Sequence, residues 1–188
     1  MKHRLFFAID LPDPCRSAVV DLQTRLDRLG LPVMWEEPAK LHLTLHFLGP
    51  TPQEQINSFT PGLQKLARSA PAFSLTPYFL ETLYRRHEAS LVYIGMEGDL
   101  TALKNLHKSL AGLLSGYQLP AQNRFFPHIT IGRLRRDDPV TTKNFLSRID
   151  AVDIQPLPSF LVDHLTLYES DLSPAGSHYQ KIGQYGLE

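Results

Sequence analysis

An internal repeat is the feature that most constrains how this chain can fold. The segment RLFFAID at 4–10 is typical of a buried strand, and an amphipathic helix that ends at Gly30 follows it before the stretch HLTL begins at His42. The segment SLVYIGM at 90–96, a second helix and its own terminal glycine precede the stretch HITI, which begins at His128, in the same order. Each histidine follows its helix-ending glycine by 12 residues. The matched order and spacing predict two related strand–helix–strand units.

Hydrophobic periodicity over the rest of the chain predicts a mixed α+β protein. The predicted helices span about 14–29 and 99–115, with a short one near 141–148. The predicted strands cover 4–10, 41–49, 73–83, 90–96, 127–134 and 159–169, with a weaker extended piece at 177–185. One more helix is expected to begin with Thr51 as its cap and Pro52 at its first position. The pair Pro61-Gly62 is expected to break that helix in two.

The two histidine motifs can act together if the two units pack face to face. Residues i and i+2 of a strand point to the same side, so His42 and Thr44 project together while the leucines between them enter the core. His128 and Thr130 do the same in the second unit. A neutral imidazole can accept a proton while a protonated one donates a proton, and the two hydroxyls can bind phosphate oxygens. The pattern predicts a phosphodiesterase site that works without a metal ion.

A third copy of the pattern, HLTL at 164–167, lies outside both units. Usage of this kind predicts about 0.5 His-x-Thr triplets by chance, so three copies call for an explanation. Only 36 residues separate His164 from His128, and no strand–helix unit precedes it. We therefore expect His164 and Thr166 to be structural residues on a strand that braces one lobe through Leu165 and Leu167.

Composition narrows the class of protein. The chain has 188 residues, which is enough to bury a sizeable core in one large domain or two small lobes. Its 19 basic residues balance 19 acidic ones. A neutral chain is unlike proteins that bind the backbone of long nucleic acid, so any nucleic-acid ligand is expected to be an end or a short fragment. The single Cys15, the absence of a long apolar run and the short apolar part of the N-terminus predict a soluble cytoplasmic protein.

Three segments together resemble a known family. RLFFAIDLP at the start, KLHLTLHFLG and FPHITIGR are similar to the 2′-5′ RNA ligase family of two-histidine phosphoesterases, also described as RNA 2′,3′-cyclic phosphodiesterases. The resemblance covers most of the chain, including the closing LTLYES. It implies an α+β bilobal fold over residues 1–188, in which two pseudo-symmetric lobes with antiparallel sheets surround a central cleft.

The resemblance also implies an activity and roles for the motif residues. The family hydrolyses the terminal 2′,3′-cyclic phosphate of RNA to a 2′-phosphate, and members can join RNA halves through a 2′-5′ linkage. His42 matches the proton donor, His128 the proton acceptor that activates water, and Thr44 and Thr130 the phosphate-binding hydroxyls. No cofactor and no metal ion are expected. The expected partners are RNA 3′ ends, with tRNA fragments among them, and the chain is expected to act as a monomer away from membranes.

Residues beside the motifs are secondary candidates for substrate binding. Cations there can neutralise phosphate charge and aromatic rings can stack on bases, although a polar connection or core packing is the simpler interpretation for most of them. These candidates are Arg124, Arg133, Phe126, Tyr84 and Arg86. His46 follows Thr44 by two residues, and we expect it to be a solvent-facing strand residue that could also rim the cleft.

Two other classes of function stay open at this point. One is a sister phosphodiesterase that acts on small cyclic nucleotides or on 2′-5′ oligonucleotides. The other is a non-catalytic module that binds RNA ends, although permanent cations would serve binding better than groups that titrate near neutral pH. A zinc site is disfavoured because the chain has no HExxH motif and no cysteine pair. The motif G-x-S-x-G of serine hydrolases is also absent.

Overall fold

The computed structural model describes residues 2–30, 32–83, 91–119, 125–134, 148–149, 152, 154–173 and 176–188. Within these residues three helices and nine strands alternate along the chain. The helices are α1 (Asp13–Asp27), α2 (Gln53–Ser69) and α3 (Leu100–Ser115). The strands are β1 (Lys2–Asp10), β2 (Val33–Trp35), β3 (His42–Pro52), β4 (Phe73–Leu83), β5 (Leu91–Gly98), β6 (His128–Leu134), β7 (Phe160–Val162), β8 (His164–Ser173) and β9 (Gly176–Gly186). A short 3₁₀ turn at Pro38–Lys40 precedes β3.

All the described strands belong to one antiparallel sheet, in the order β7-β4-β5-β6-β3-β1-β8-β9, with β2 paired beside β6. The sheet curls strongly, because β7 lies at one edge, β8 lies beside the opposite edge, and Asp163 alone joins them in the chain. The C-terminus adds a second connection between the two ends of the sheet, since Glu188, which follows β9, exchanges backbone hydrogen bonds with the segment that precedes β4. The predicted α+β class with antiparallel strands is confirmed.

The two predicted units form the two halves of this sheet. The unit β1-α1-β3 supplies the strands on one side of the centre, and β5-α3-β6 supplies those on the other. The halves meet where Leu43 of β3 pairs with Ile129 of β6. The C-terminal strands β8 and β9 complete the half that contains β1, so the strand of the third motif does brace that lobe. Leu165 and Leu167 are both buried in the core.

One apolar core fills the space between the sheet and the helices. The buried face of α1 carries Cys15, Val19, Leu22 and Leu26 at helical spacing, and the alternate residues Leu5, Phe7 and Ile9 of β1 meet the same cluster. The other face of β1 belongs to a separate small cluster on the concave side, which contains Phe6, Ala8 and Tyr168. No helix of the described residues is both long and apolar enough to span a bilayer.

The prediction that Pro61-Gly62 breaks the second helix is wrong. Helix α2 is continuous from Gln53 to Ser69, although a proline inside a helix costs about 3 kcal/mol. Its buried face has helical spacing on both sides of the proline and packs into the core as one surface, which outweighs that cost. Gly62 also lets Leu113 of α3 come close, since an added Cβ would lie 2.8 Å from a methyl group of that leucine. The helix begins at Gln53 because Thr51 remains in β3, buried, with its hydroxyl bonded to the carbonyl of Gly49.

Two other predicted elements differ from the structure. The single strand expected at 159–169 is two strands, because β7 pairs with β4 while β8 pairs with β1 and β9, and the chain crosses from one end of the sheet to the other at Asp163. The strand β2 was not predicted, since three residues carry too little periodicity to register as a strand. Most of the short helix predicted near 141–148 lies outside the described residues.

Candidate active site

The two motif histidines are held in the same way. The Nδ1 atom of His42 lies 2.7 Å from the carbonyl oxygen of Lys40, and the Nδ1 atom of His128 lies 2.7 Å from the carbonyl oxygen of Phe126. Each ring therefore bonds to the backbone two residues before it. A carbonyl oxygen can only accept, so Nδ1 carries a proton in both rings and Nε2 is the nitrogen that can gain or lose one. The repeat thus extends from element order to the orientation of the two imidazoles.

The register between β3 and β6 brings the two motifs together. Because Leu43 pairs with Ile129 in an antiparallel ladder, His42 stands opposite Thr130 and Thr44 opposite His128. Directly opposed side chains lie about 5 Å apart at Cβ. Within its own motif, His42 also contacts the hydroxyl of Thr44, with 3.0 Å between Nε2 and Oγ1. The two imidazoles and two hydroxyls that the sequence predicted therefore share one small patch at the centre of the sheet.

This patch forms the floor of a cavity of about 210 Å³, which we call the central cleft. Besides the four motif residues, its lining contains two cations, one carboxylate and three apolar or aromatic side chains. These are Lys40, Arg133, Glu36, Phe47, Leu91 and Tyr179. The guanidinium of Arg133 donates to Glu36, with 2.9 Å between Nε and Oε1. Such a lining suits an anionic ligand that carries an aromatic base.

Matched β-bulges shape both central strands beyond their threonines. In β3, Ala8 pairs with Thr44 and Phe7 with His46, which leaves Leu45 as the extra residue. In β6, Ile131 is the extra residue at the equivalent place. An extra residue reverses the alternation of side chains, so the residues that follow each bulge change faces.

The bulge in β3 corrects the prediction for His46. This side chain is fully buried on the helix side of the sheet, where its ring centroid lies 6.0 Å from that of His107. The simple i, i+2 alternation had placed it on the solvent face. Phe47 takes the cleft side instead and is 51% exposed. Arg133 holds the equivalent place in the second half, so the cleft has an aromatic ring on one side and a guanidinium on the other.

Aromatic rings also surround His128. Tyr93 and Phe126 lie with their ring centroids 5.5 Å from that of His128. Burial and a hydrogen bond to the carboxylate of Glu81 raise the pKa of Tyr93, so its hydroxyl stays protonated. Phe126 is 49% exposed, whereas Phe125 packs on His107 in the core. Of the secondary candidates, Arg133 and Phe126 therefore lie at the cleft or beside it, while Arg124, Tyr84 and Arg86 lie outside the described residues.

The third motif surrounds a carboxylate that the sequence had not singled out. Asp10 ends β1 on its concave face, and four side chains bond to it: His164 at 3.3 Å, Thr166 at 3.0 Å, Tyr168 at 2.5 Å and Lys181 at 2.6 Å. His164 also contacts Asp163, with 2.5 Å between Nδ1 and Oδ1. The pattern His-x-Thr-x-Tyr of β8 therefore serves as a cradle for Asp10. Only its pairing with β1 shows this, because 154 residues separate Asp10 from His164.

Asp10 stands beside the central cleft, since it pairs with His42 across the ladder between β1 and β3. Burial alone would raise the pKa of Asp10, but the hydrogen bonds from His164, Lys181 and Tyr168 outweigh it and hold the pKa well below its ordinary value. The carboxylate is therefore charged at neutral pH. The hydrogen bond to Asp10 is the largest cause that raises the pKa of His164, and Asp163 raises it as well, while burial acts in the opposite direction.

Opposing effects act on the proton affinity of His42. Burial is the largest and lowers the pKa of His42 below its ordinary 6.5. The carbonyl of Lys40 and the negative charge of Asp10 raise it, whereas positive charge on His128 and on Arg133 lowers it further. The rings of Phe6 and Tyr179 pack with their centroids 5.0 and 5.5 Å from that of the imidazole and shield part of it from solvent, so His42 is half-buried. Within the described residues, no group of three or more histidine, cysteine or carboxylate side chains is placed to hold a metal ion.

The curled sheet and its paired histidine motifs define a two-histidine phosphoesterase. A model of the 2′-5′ RNA ligase superfamily matches residues 18–174, and the chain belongs to that superfamily. It is similar to the RNA 2′,3′-cyclic phosphodiesterase of Thermotoga maritima, with 28% identity over 185 residues, 98% of this chain and 96% of the relative.

Solved structures agree with this assignment. The crystal structure of LigT from Escherichia coli complexed with 3′-AMP matches with a TM-score of 0.78 and 27% identity, over 100% of this chain and 99% of that one. The crystal structure of TT0787 from Thermus thermophilus matches with a TM-score of 0.74 and 26% identity, over 98% and 97% of the two chains.

Proposed function

We propose that this protein hydrolyses the terminal 2′,3′-cyclic phosphate of RNA and leaves a 2′-phosphate. Full-length relatives that carry the name RNA 2′,3′-cyclic phosphodiesterase support the reaction class. The observation that carries the proposal is the matched tethering of His42 and His128. Each ring holds its Nδ1 proton on a carbonyl and keeps Nε2 for proton exchange at one shared patch.

The chemical step needs one base and one acid on opposite sides of the phosphorus. Nε2 of neutral His128 accepts a proton from water as the water oxygen bonds to phosphorus. The bond from phosphorus to the 3′ oxygen breaks, and Nε2 of protonated His42 gives its proton to that oxygen. The product carries a 3′-hydroxyl and a 2′-phosphate. The hydroxyls of Thr44 and Thr130 bind the non-bridging oxygens, and Arg133 offsets their charge.

Asp10 has a supporting role in this scheme. Partial burial makes the imidazole of His42 lose its proton more easily, which is unfavourable for a group that must be protonated before the reaction. The carboxylate of Asp10, kept ionised by its cradle, favours the protonated form of His42. The negative charge of a bound cyclic phosphate acts in the same direction. Asp10 is thus a positioning and electrostatic residue, since it acts through His42.

The test is incubation of the purified protein with a short RNA that ends in a 2′,3′-cyclic phosphate. We expect a 2′-phosphate product, an unchanged rate after dialysis against a chelator, and a bell-shaped pH profile from the coupled pair of histidines. A 3′-phosphate product would keep the two-histidine chemistry but reverse the assignment of the leaving oxygen. Activity that collapses in chelator and returns only with a divalent ion would overturn the mechanism.

The finer parts of the proposal concern the substrate and the setting. RNA 3′ ends that carry a 2′,3′-cyclic phosphate are the substrate class, and we expect tRNA fragments among them. A monomeric enzyme of the cytoplasm remains the expectation for its state and location. Attack at the same site by the 5′-hydroxyl of a second RNA, in place of water, would break the bond from phosphorus to the 3′ oxygen and join the two RNA pieces through a 2′-5′ linkage.

A further inference from the structure

A second cavity opens beside the central cleft on the concave face of the sheet. Its volume is about 410 Å³, against about 210 Å³ for the central cleft, and lies in the range of ligand pockets. Phe47, Arg133 and Tyr179 line both cavities. The two spaces are therefore neighbours that share walls, and a ligand larger than one nucleotide can extend from one into the other.

The wall between the cavities presents an aromatic surface. Phe47 is 51% exposed, and Phe6 supports it from below, with 5.7 Å between the ring centroids. A half-exposed phenylalanine next to a phosphoesterase site has no role in the proposed proton transfers. Stacking with a nucleobase is the interaction that such a ring offers, and it is tolerant of sequence because every base has a π face.

The far end of the second cavity carries a cation. The side chain of Arg4 is exposed there and makes no hydrogen bond or ion pair with any residue in the described part of the chain, whereas the side chain of Arg133 donates to Glu36. Along β1, Arg4 lies four residues from Ala8, which pairs with Thr44. At about 3.3 Å per residue, this places its Cα about 13 Å from the level of the phosphate-binding threonine. Arg4 is therefore placed to meet a group of the ligand other than the phosphate seated at the histidines.

Hydroxyl groups complete the lining of the second cavity. Ser170 and Ser177 lie on β8 and β9 and are partly exposed to it. The cavity thus offers a ring, a cation and hydroxyls. These are the groups that bind the base, the phosphate and the ribose of a single-stranded nucleotide.

We propose that the second cavity binds the nucleotide that precedes the cyclic phosphate terminus, with its base stacked on Phe47 and its backbone phosphate bound by Arg4. This inference rests on the proposed function and names the feature that makes the enzyme prefer RNA ends to cyclic mononucleotides. The neutral overall charge of the chain fits a site that holds only a short stretch of RNA.

The experiment compares kcat/KM on two substrates that share the same reacting group. One is 2′,3′-cyclic AMP, and the other is a three-nucleotide adenylate RNA that ends in a 2′,3′-cyclic phosphate. The wild-type protein should favour the RNA by about tenfold or more, the scale of one stacked base. Arg4→Gln should lower kcat/KM for the RNA about three- to tenfold at low salt, with a smaller effect at high salt. Its kcat/KM for the mononucleotide should stay within twofold of wild type.

Matched controls separate this site from a general effect of charge. Arg68→Gln removes an exposed arginine at the end of α2 and should change neither substrate. Arg4→Lys should recover most of the RNA rate, and Phe47→Tyr should keep the preference for RNA while Phe47→Leu lowers it. Equal losses on both substrates in Arg4→Gln, or no loss on RNA, would overturn the inference. Failure of the proposed function would look different, because the wild-type protein would then turn over neither substrate.

Discussion

The three histidine motifs can be separated by mutating one histidine in each. We expect His42→Ala and His128→Ala to lower kcat for cyclic phosphate hydrolysis by about 10²–10⁴, the usual effect of removing a positioned general acid or base. This corresponds to about 2.7–5.4 kcal/mol of transition-state stabilisation. We expect His164→Ala to keep kcat within a few-fold of wild type, because a third imidazole has no proton to move in the reaction.

The contacts of Asp10 set the size of the effect at His164. The bond from His164 is the longest of the four, at 3.3 Å, while Thr166, Tyr168 and Lys181 stay within 2.5–3.0 Å of the carboxylate. We expect the three remaining donors to keep Asp10 in place and ionised. The loss should therefore appear in stability, at about 1.5 kcal/mol for one hydrogen bond to a charged group.

The measurement pairs single-turnover rates with urea unfolding for each of the three variants. Circular dichroism before the assay verifies that each variant is folded. The expected pattern is two folded, inactive proteins and one active protein with a lower unfolding midpoint. A folded His164→Ala protein as inactive as His42→Ala would refute the assignment of the third motif to a structural cradle.

Three further predictions concern charge and packing. Asp10→Asn removes the negative charge beside His42, so the high-pH limb of kcat/KM should move to lower pH, and an unmoved limb would exclude the coupling. Burial lowers the pKa of His107, so the imidazole takes up a proton at a higher pH in the unfolded chain than in the folded one. The free energy of unfolding should therefore decrease as the pH falls below about 6.5, by at most about 1.4 kcal/mol per pH unit. Urea titrations at several pH values should show a weaker pH dependence for His107→Phe. Gly95→Val should lower the free energy of unfolding by about 1–3 kcal/mol, measured by thermal or urea unfolding, because even a Cβ at this position would lie 1.9 Å from the ring of Phe79. The control Gly112→Ala adds a methyl group on an open helix surface and should be neutral or stabilising.

The sequence by itself determined most of the helices and strands and the pairing of the two histidine motifs. Amphipathic spacing located α1 and α3, a continuous apolar run located β1, and alternation located β3 and β6. The equal 12-residue steps related His42 to His128. These features are local or periodic. The spacing of apolar residues within a helix or strand shows which of its faces is buried, so the element can be predicted without knowing what packs against it.

Tertiary structure alone decided what depends on register and on distant partners. The bulge at Leu45 turned His46 into the core and Phe47 into the cleft, and the bulge at Ile131 likewise turned Arg133 of β6 into the cleft. No local pattern marks where an extra residue enters a ladder. Pro61 stays inside α2 because the packing of a whole helix face outweighs one lost bond. Asp10 is only the last residue of a strand until β8 pairs with β1 and surrounds it with donors from the far end of the chain. Such contacts depend on the free energy of the whole assembled sheet, because they join residues more than 150 positions apart that no local pattern relates.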